Sequence, residues 1–243
     1  MATYVLIHGG GHGGWCWDAV AGLLRAQGHA VHTPTLTGLA ERFSELRPGI
    51  DLDTHIDEIA ALLQTLAPEP VILAGHSYGG MVITGAADRA PGRVNWLAFI
   101  DATIPQHGEA LTDISPGLLT LADDVVEVDG VPLGLWPDET ALAIYGLTGA
   151  LAEAALERLT PHPWTCFTQP LRLSDPEGLT AVPRALLNCA ETLARRPPER
   201  IARWSQGDVV ETVDAPHDVM LTHPQIVANF LLRLGIAGTV ASC

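Results

Sequence analysis

Gly75-His76-Ser77-Tyr78-Gly79-Gly80 decides the fold of this chain. The run before it, Pro70-Val71-Ile72-Leu73-Ala74, is apolar and reads as a buried strand. The run after it, Met81 to Arg89, reads as a helix. A G-x-S-x-G between a strand and a helix is a nucleophile elbow. The turn is too tight for side chains at Gly75 and Gly79, and it lifts Ser77 out at the carboxyl end of the sheet. The helix behind it presents unpaired backbone N–H groups and the positive end of a dipole. A serine held there can attack an acyl carbon while those N–H groups receive the developing oxyanion.

The same alternation extends outward from the elbow. Tyr4 to His8 is an apolar strand entering the loop Gly9-Gly10-Gly11. Trp17 to Gln27 has helical period and stops at Gly28. His29 to Thr35 reads as a second strand broken by Pro34, and Leu52 to Leu66 as a helix capped by Asp53 or Thr54. Val94 to Ile100 is a buried strand ending in Asp101. The pattern then changes: residues 105–183 are rich in proline, with short helical stretches at Glu139–Tyr145 and Leu151–Leu159. Alternation resumes with a strand at Ala185–Cys189, a helix at Pro198–Trp204, a strand at Asp208–Val213 and a closing helix at Gln225–Leu234. The expectation is an α/β fold: a mostly parallel sheet of about six strands, with helices on both faces. Residues 1–104 and 184–243 form its core, and residues 105–183 an inserted helical cap.

Composition narrows the class. The 243 residues are 47% hydrophobic and 17% charged, ample for a core, and the formal net charge is -15. That charge argues against nucleic acid and anionic membrane surfaces, which would repel it. Cys16, Cys166, Cys189 and Cys243 match no zinc spacing. The start of the chain lacks a basic n-region and a small-residue cleavage site, and no apolar run reaches membrane-spanning length. A cytoplasmic protein with free thiols is expected, needing neither metal nor organic cofactor.

A serine hydrolase requires a nucleophile, a base, an acid to orient the base and an oxyanion hole, in the chain order serine, acid, histidine for this fold. Ser77 is the nucleophile. Among ten histidines, His217 lies in the loop after the last strand, where the base belongs. His223 opens the last helix, and His8, His12 and His76 are read as packing or loop residues near the site. His29, His32, His55, His107 and His162 carry no signal. Two carboxylates sit at strand ends. Asp101 follows a wholly apolar strand, where a charge needs a reason, and is preferred. Glu191 is the alternative, though the charged run after it suggests a solvated side chain. Asp218 adjoins the base in sequence, and such a neighbour usually points away. The backbone N–H groups of Gly10 and Tyr78 are expected to form the oxyanion hole. Trp136, Trp164 and Phe167 are candidates for an apolar substrate pocket.

With these residues in view, the chain resembles the small α/β-hydrolases of the plant methylesterase and hydroxynitrile lyase group, and still more their bacterial esterase relatives. The resemblance rests on Val5 to Gly10 with Gly13-Gly14-Trp15-Cys16-Trp17, on Thr33 to Gly38, on Gly75 to Ile83 and on His217-Asp218-Val219-Met220. Phe167-Thr168-Gln169-Pro170-Leu171 also matches the bacterial branch. The resemblance spans nearly the whole chain and implies a serine-hydrolase site; it does not specify a substrate. Many plant members carry the acid after the penultimate strand, where this chain has Thr192 beside Glu191. The bacterial relatives often show an aspartate-alanine pair after the earlier strand, as in Asp101-Ala102. Hydroxynitrile lyases carry a threonine near Gly9 and a lysine after the histidine. This chain has Gly9 and Asp218, which argues against lyase chemistry. The expected activity is hydrolysis of a small carboxylic ester through an acyl-enzyme. The rivals are a lyase or biosynthetic cyclase on the same site, or a small-molecule receptor with little turnover. The resemblance also allows a homodimer.

Overall fold

The apolar runs flanking the elbow form neighbouring strands of one parallel sheet. The computed structural model describes residues 1–66, 69–198 and 200–240. The first half of the core is β1 (Thr3–Ile7), α1 (Asp18–Ala26), β2 (Ala30–His32), α2 (Leu52–Thr65), β3 (Val71–His76), α3 (Gly79–Arg89) and β4 (Val94–Ile100). Next comes the insertion, with α4 (Leu111–Ile114), β5 (Val126–Val128), β6 (Val131–Gly134), α5 (Glu139–Tyr145), α6 (Gly149–Leu156), β7 (His162–Pro163) and α7 (Thr165–Thr168). The core resumes with β8 (Arg184–Cys189), α8 (Ala190–Ala194), β9 (Val209–Val213), α9 (Val219–Thr222) and α10 (Pro224–Val240).

The six core strands run in the order β2-β1-β3-β4-β8-β9, every pair parallel. α1 packs against α10 and α2 against α3, covering the two faces. β3 and β4 are central and buried almost throughout, as their unbroken apolar runs require. α3 is apolar nearly all round, and residues 79–87 are buried between the sheet and α2.

Three local expectations are corrected. The cap of α2 is Asp51: its Oδ1 accepts from the Thr54 N–H at 2.9 Å, while its own N–H donates to the Thr54 hydroxyl at 3.3 Å. Thr54 is thus the N3 partner of a capping box and Asp53 lies within the first turn. β2 is only three residues long, because Pro34 removes a ladder donor just beyond it. In place of a helix over Pro198–Trp204 there is a short 3₁₀ turn, Ile201–Ser205, after Pro197-Pro198. Glu199 and Cys243 lie outside the described residues. Cys16, Cys166 and Cys189 are buried free thiols.

The insertion is not purely helical. β5, β6 and β7 form a three-stranded antiparallel sheet with short helices around it. Asp129 and Gly130, at φ 51° and 78°, make the β5–β6 turn, a two-residue type that needs left-handed backbone at both positions. No helix among the described residues is long and apolar enough to cross a membrane.

Candidate active site

Strand register brings the first two components together. His76 at the tip of β3 is paired with Ile100 at the tip of β4. Ser77 and Asp101 are each one residue further on, so they emerge side by side at the carboxyl edge of the sheet. Both turn sharply there, with left-handed φ of 52° and 44°. Non-glycine residues in that region cost about 1–3 kcal/mol each and concentrate at functional sites. The elbow glycines are required by space. A Cβ at Gly75 would lie 2.6 Å from the carbonyl of Gly79, and one at Gly79 would lie 2.7 Å from the carbonyl oxygen of Ile7. The Thr103 amide and hydroxyl both donate to the Ser77 carbonyl at 3.1 Å, which holds the turn from below.

The loop after β9 carries His217 back over the strand tips. Its Nε2 lies 3.0 Å from Ser77 Oγ and its Nδ1 lies 2.5 Å from Asp101 Oδ2. A carboxylate only accepts, so the proton sits on Nδ1 and Nε2 is free to accept from the serine. Asp101 is buried, and its Oδ1 accepts from the Cys189 amide at 3.0 Å. Burial alone pushes this carboxyl up. The hydrogen bond and charge of His217, then the Cys189 amide and the nearby Thr192 side chain, outweigh it and hold the group below the usual carboxylate range. Glu191 is exposed and paired with Arg195.

The amides of Gly10 and Tyr78 make no hydrogen bond to a protein acceptor among the described residues. Tyr78 precedes α3, so its N–H stands at the positive end of that helix. Over Gly10 stand two apolar side chains: a Cβ there would be 2.9 Å from Leu135 Cδ2 and 3.0 Å from Phe167 Cζ. Leu135, at the end of β6, is buried and has φ 53°, unusual strain for a branched residue. Trp164 lies one ring behind, edge-on to Phe167 at 5.5 Å. Trp136 turns elsewhere; its indole N–H bonds the Asp124 carbonyl at 2.9 Å and it lines a surface hollow with Leu121 and Asp138.

Histidines with no signal in the sequence prove to be part of the floor beneath this site. His55 Nδ1 accepts from the Tyr78 hydroxyl at 2.8 Å and its Nε2–H donates to the Thr37 carbonyl at 3.0 Å. His162 stacks on Phe167 at 4.5 Å, and its Nδ1 accepts from the Gly11 amide at 3.2 Å. Burial keeps both neutral, and it lowers His8 and His76 to about 3. Their partners come from segments far apart in sequence, so no local pattern marks them. His55, His162 and Cys166 also bring possible ligand atoms within 4.8 Å of one another. They do not fit a metal ion. With Nδ1 accepting from Gly11, His162 carries its proton on Nε2 and has no lone pair to offer. The Tyr78 hydroxyl already occupies His55 Nδ1.

The fold agrees with the comparisons. A model of the alpha/beta hydrolase family matches residues 4–230. The chain belongs to the α/β-hydrolase family. It is 32% identical to a carbendazim hydrolyzing esterase of Nocardioides sp. (strain SG-4G), over 97% of this chain and 100% of that protein. It is 28% identical to methylesterase 1 of Arabidopsis thaliana, over 95% of each. Among solved structures, an extracellular α/β-hydrolase from a Paenibacillus species superposes with TM-score 0.80 at 22% identity, covering 96% of this chain and 99% of that one. The methylesterase MES16 from Arabidopsis gives TM-score 0.77 at 23% identity, covering 96% and 98%.

Proposed function

We propose that this protein is a serine carboxylesterase. The observation that carries the reading is the unbroken chain Ser77 Oγ–His217–Asp101, with contacts of 3.0 and 2.5 Å. Relatives named as esterases and methylesterases support ester hydrolysis as the general activity. In the proposed cycle Ser77 attacks the ester carbonyl while His217 takes its proton. His217 then returns that proton to the leaving alcohol, and a water repeats the sequence on the acyl-enzyme. Asp101 holds the imidazole tautomer and stabilises the imidazolium. The Gly10 and Tyr78 amides receive the oxyanion; one such donor is worth roughly 3–4 kcal/mol. Leu135 and Phe167, crowded over Gly10, favour a small apolar group beside the reacting carbon, with Trp164 as backing.

The test is turnover of p-nitrophenyl esters of increasing acyl length by the wild type and by Ser77→Ala. The wild type is expected to prefer the short esters. Ser77→Ala is expected to lose about 10⁵–10⁶-fold in kcat. Wild-type turnover in Ser77→Ala would refute the reading.

A further inference from the structure

A second aspartate–histidine pair lies entirely inside the protein, beside the first. His12 and Asp218 are both fully buried, and His12 Nε2 is 2.9 Å from Asp218 Oδ2. The other ring nitrogen, Nδ1, is 2.8 Å from the Gly10 carbonyl. A carbonyl only accepts, so Nδ1 carries a proton, and the carboxylate takes the second at Nε2. With Asp218 ionised, the ring is an imidazolium. Burial disfavours its charge, yet the charge and hydrogen bond of Asp218 outweigh this and raise it. Asp218 is lowered against its own burial by the same contact.

The pair belongs to a closed circuit. From Gly10 the path runs to His12 and Asp218. The Asp218 amide donates to the Tyr145 carbonyl at 3.0 Å, and the Tyr145 hydroxyl returns to the Gly10 carbonyl at 3.0 Å. Three segments are tied: the glycine loop after β1, the loop bearing His217, and the end of α5. The Gly10 carbonyl accepts two bonds, which uses both its lone pairs. The base loop is tied from another side, since His76 Nε2–H donates to the His217 carbonyl at 3.0 Å. Asp218 Oδ1 has no hydrogen-bond partner among the described residues and lies 3.7 Å from that same nitrogen. A buried ion pair contributes little net stability once desolvation is counted, but it fixes geometry.

We propose that His12 and Asp218, with Tyr145, are positioning residues that hold the Gly10 amide at a fixed place relative to His217. The proposal rests on the esterase reading. Displacing a catalytic group by about 1 Å costs about 100-fold. The circuit holds the Gly10 carbonyl from two sides, and through it the backbone of the residue whose amide is the oxyanion donor, so breaking it is expected to lower kcat and leave ground-state binding alone.

The experiment compares wild type, His12→Ala, Asp218→Ala, the double variant, Asp218→Asn and Tyr145→Phe, with kcat and KM measured on p-nitrophenyl butyrate. In Asp218→Asn the new carboxamide can donate its N–H to a neutral His12 Nε2, which keeps the circuit closed without charge. Both alanine variants and the double variant are expected to fall by a common factor of about 30–100 in kcat, with KM within about twofold. Asp218→Asn is expected to recover most of the loss, and Tyr145→Phe to fall about three- to tenfold. Three results would overturn the proposal: wild-type kcat in folded Asp218→Ala, a double variant equal to the product of the singles, or no recovery in Asp218→Asn. If the alanine variants do not fold, unchanged kcat in Tyr145→Phe overturns it. If the wild type turns over no ester, the esterase reading fails, and the circuit is read from the amide NMR signals of Gly10 and Gly11. Those signals are expected to move in Asp218→Ala and return in Asp218→Asn; unchanged signals would overturn the proposal.

Discussion

The molecule sets two aspartate–histidine pairs next to each other, Asp101–His217 and Asp218–His12. In the first, the second ring nitrogen faces a serine hydroxyl at 3.0 Å and the histidine is partly exposed. In the second, the remaining nitrogen is bonded to the Gly10 carbonyl and the ring is fully buried. The first histidine has a free acceptor and can take a proton; the second has none and is locked in its charged form. The same two side chains thus become machinery or scaffold according to what the far nitrogen meets.

The largest expected effect that separates the pairs is at Asp101. Asp101→Asn leaves the shape of the site but favours the wrong imidazole tautomer, and kcat is expected to fall about 10⁴-fold. A loss no greater than that of Asp218→Asn would break the distinction. Leu135 offers a smaller test. Leu135→Ala opens space over Gly10 and is expected to shift the kcat/KM ratio of long to short acyl esters about tenfold toward the long ones. An unchanged ratio would remove Leu135 from the pocket.

Acid stability sharpens the comparison further. Both aspartates lie below the ordinary carboxylate range in the folded protein. Each therefore adds stability above the unfolded value, about 4, that is lost as pH falls through the folded value. His12, which is raised, behaves oppositely: its contribution is complete below the unfolded imidazole value, about 6.5, and is lost as pH rises through its folded value. Tm is expected to fall as pH drops below about 4, and less steeply in Asp218→Asn. An identical acid limb in that variant would show that Asp218 is not held ionised by its surroundings. The smallest effect is at Glu191, where the Gln variant is expected to keep kcat within about twofold, as for an exposed charge.

Much of this was legible in the sequence because it is written locally. The apolar runs gave β3 and β4, and a charge directly after Ile100 singled out Asp101. The elbow glycines announced a turn without room for side chains. The insertion was harder. Its strands are two to four residues long, too short for periodicity to mark. Asp129-Gly130 between Val126–Val128 and Val131–Gly134 was the available hairpin signal. His12 and Asp218 stand 206 residues apart, so their pairing follows from the sheet order and the return of the last loop. The strained backbone of Leu135 has no counterpart in residue type at all.

The central claim is that Ser77 is the nucleophile, driven by His217. Labelling with a fluorophosphonate, followed by peptide mapping by mass, tests it most directly. One adduct per chain is expected, on the peptide containing Ser77, with ester turnover lost in step and labelling greatly slowed in His217→Ala. Ester turnover that survives complete labelling of Ser77, or an adduct on another residue with Ser77 unmodified, would contradict it.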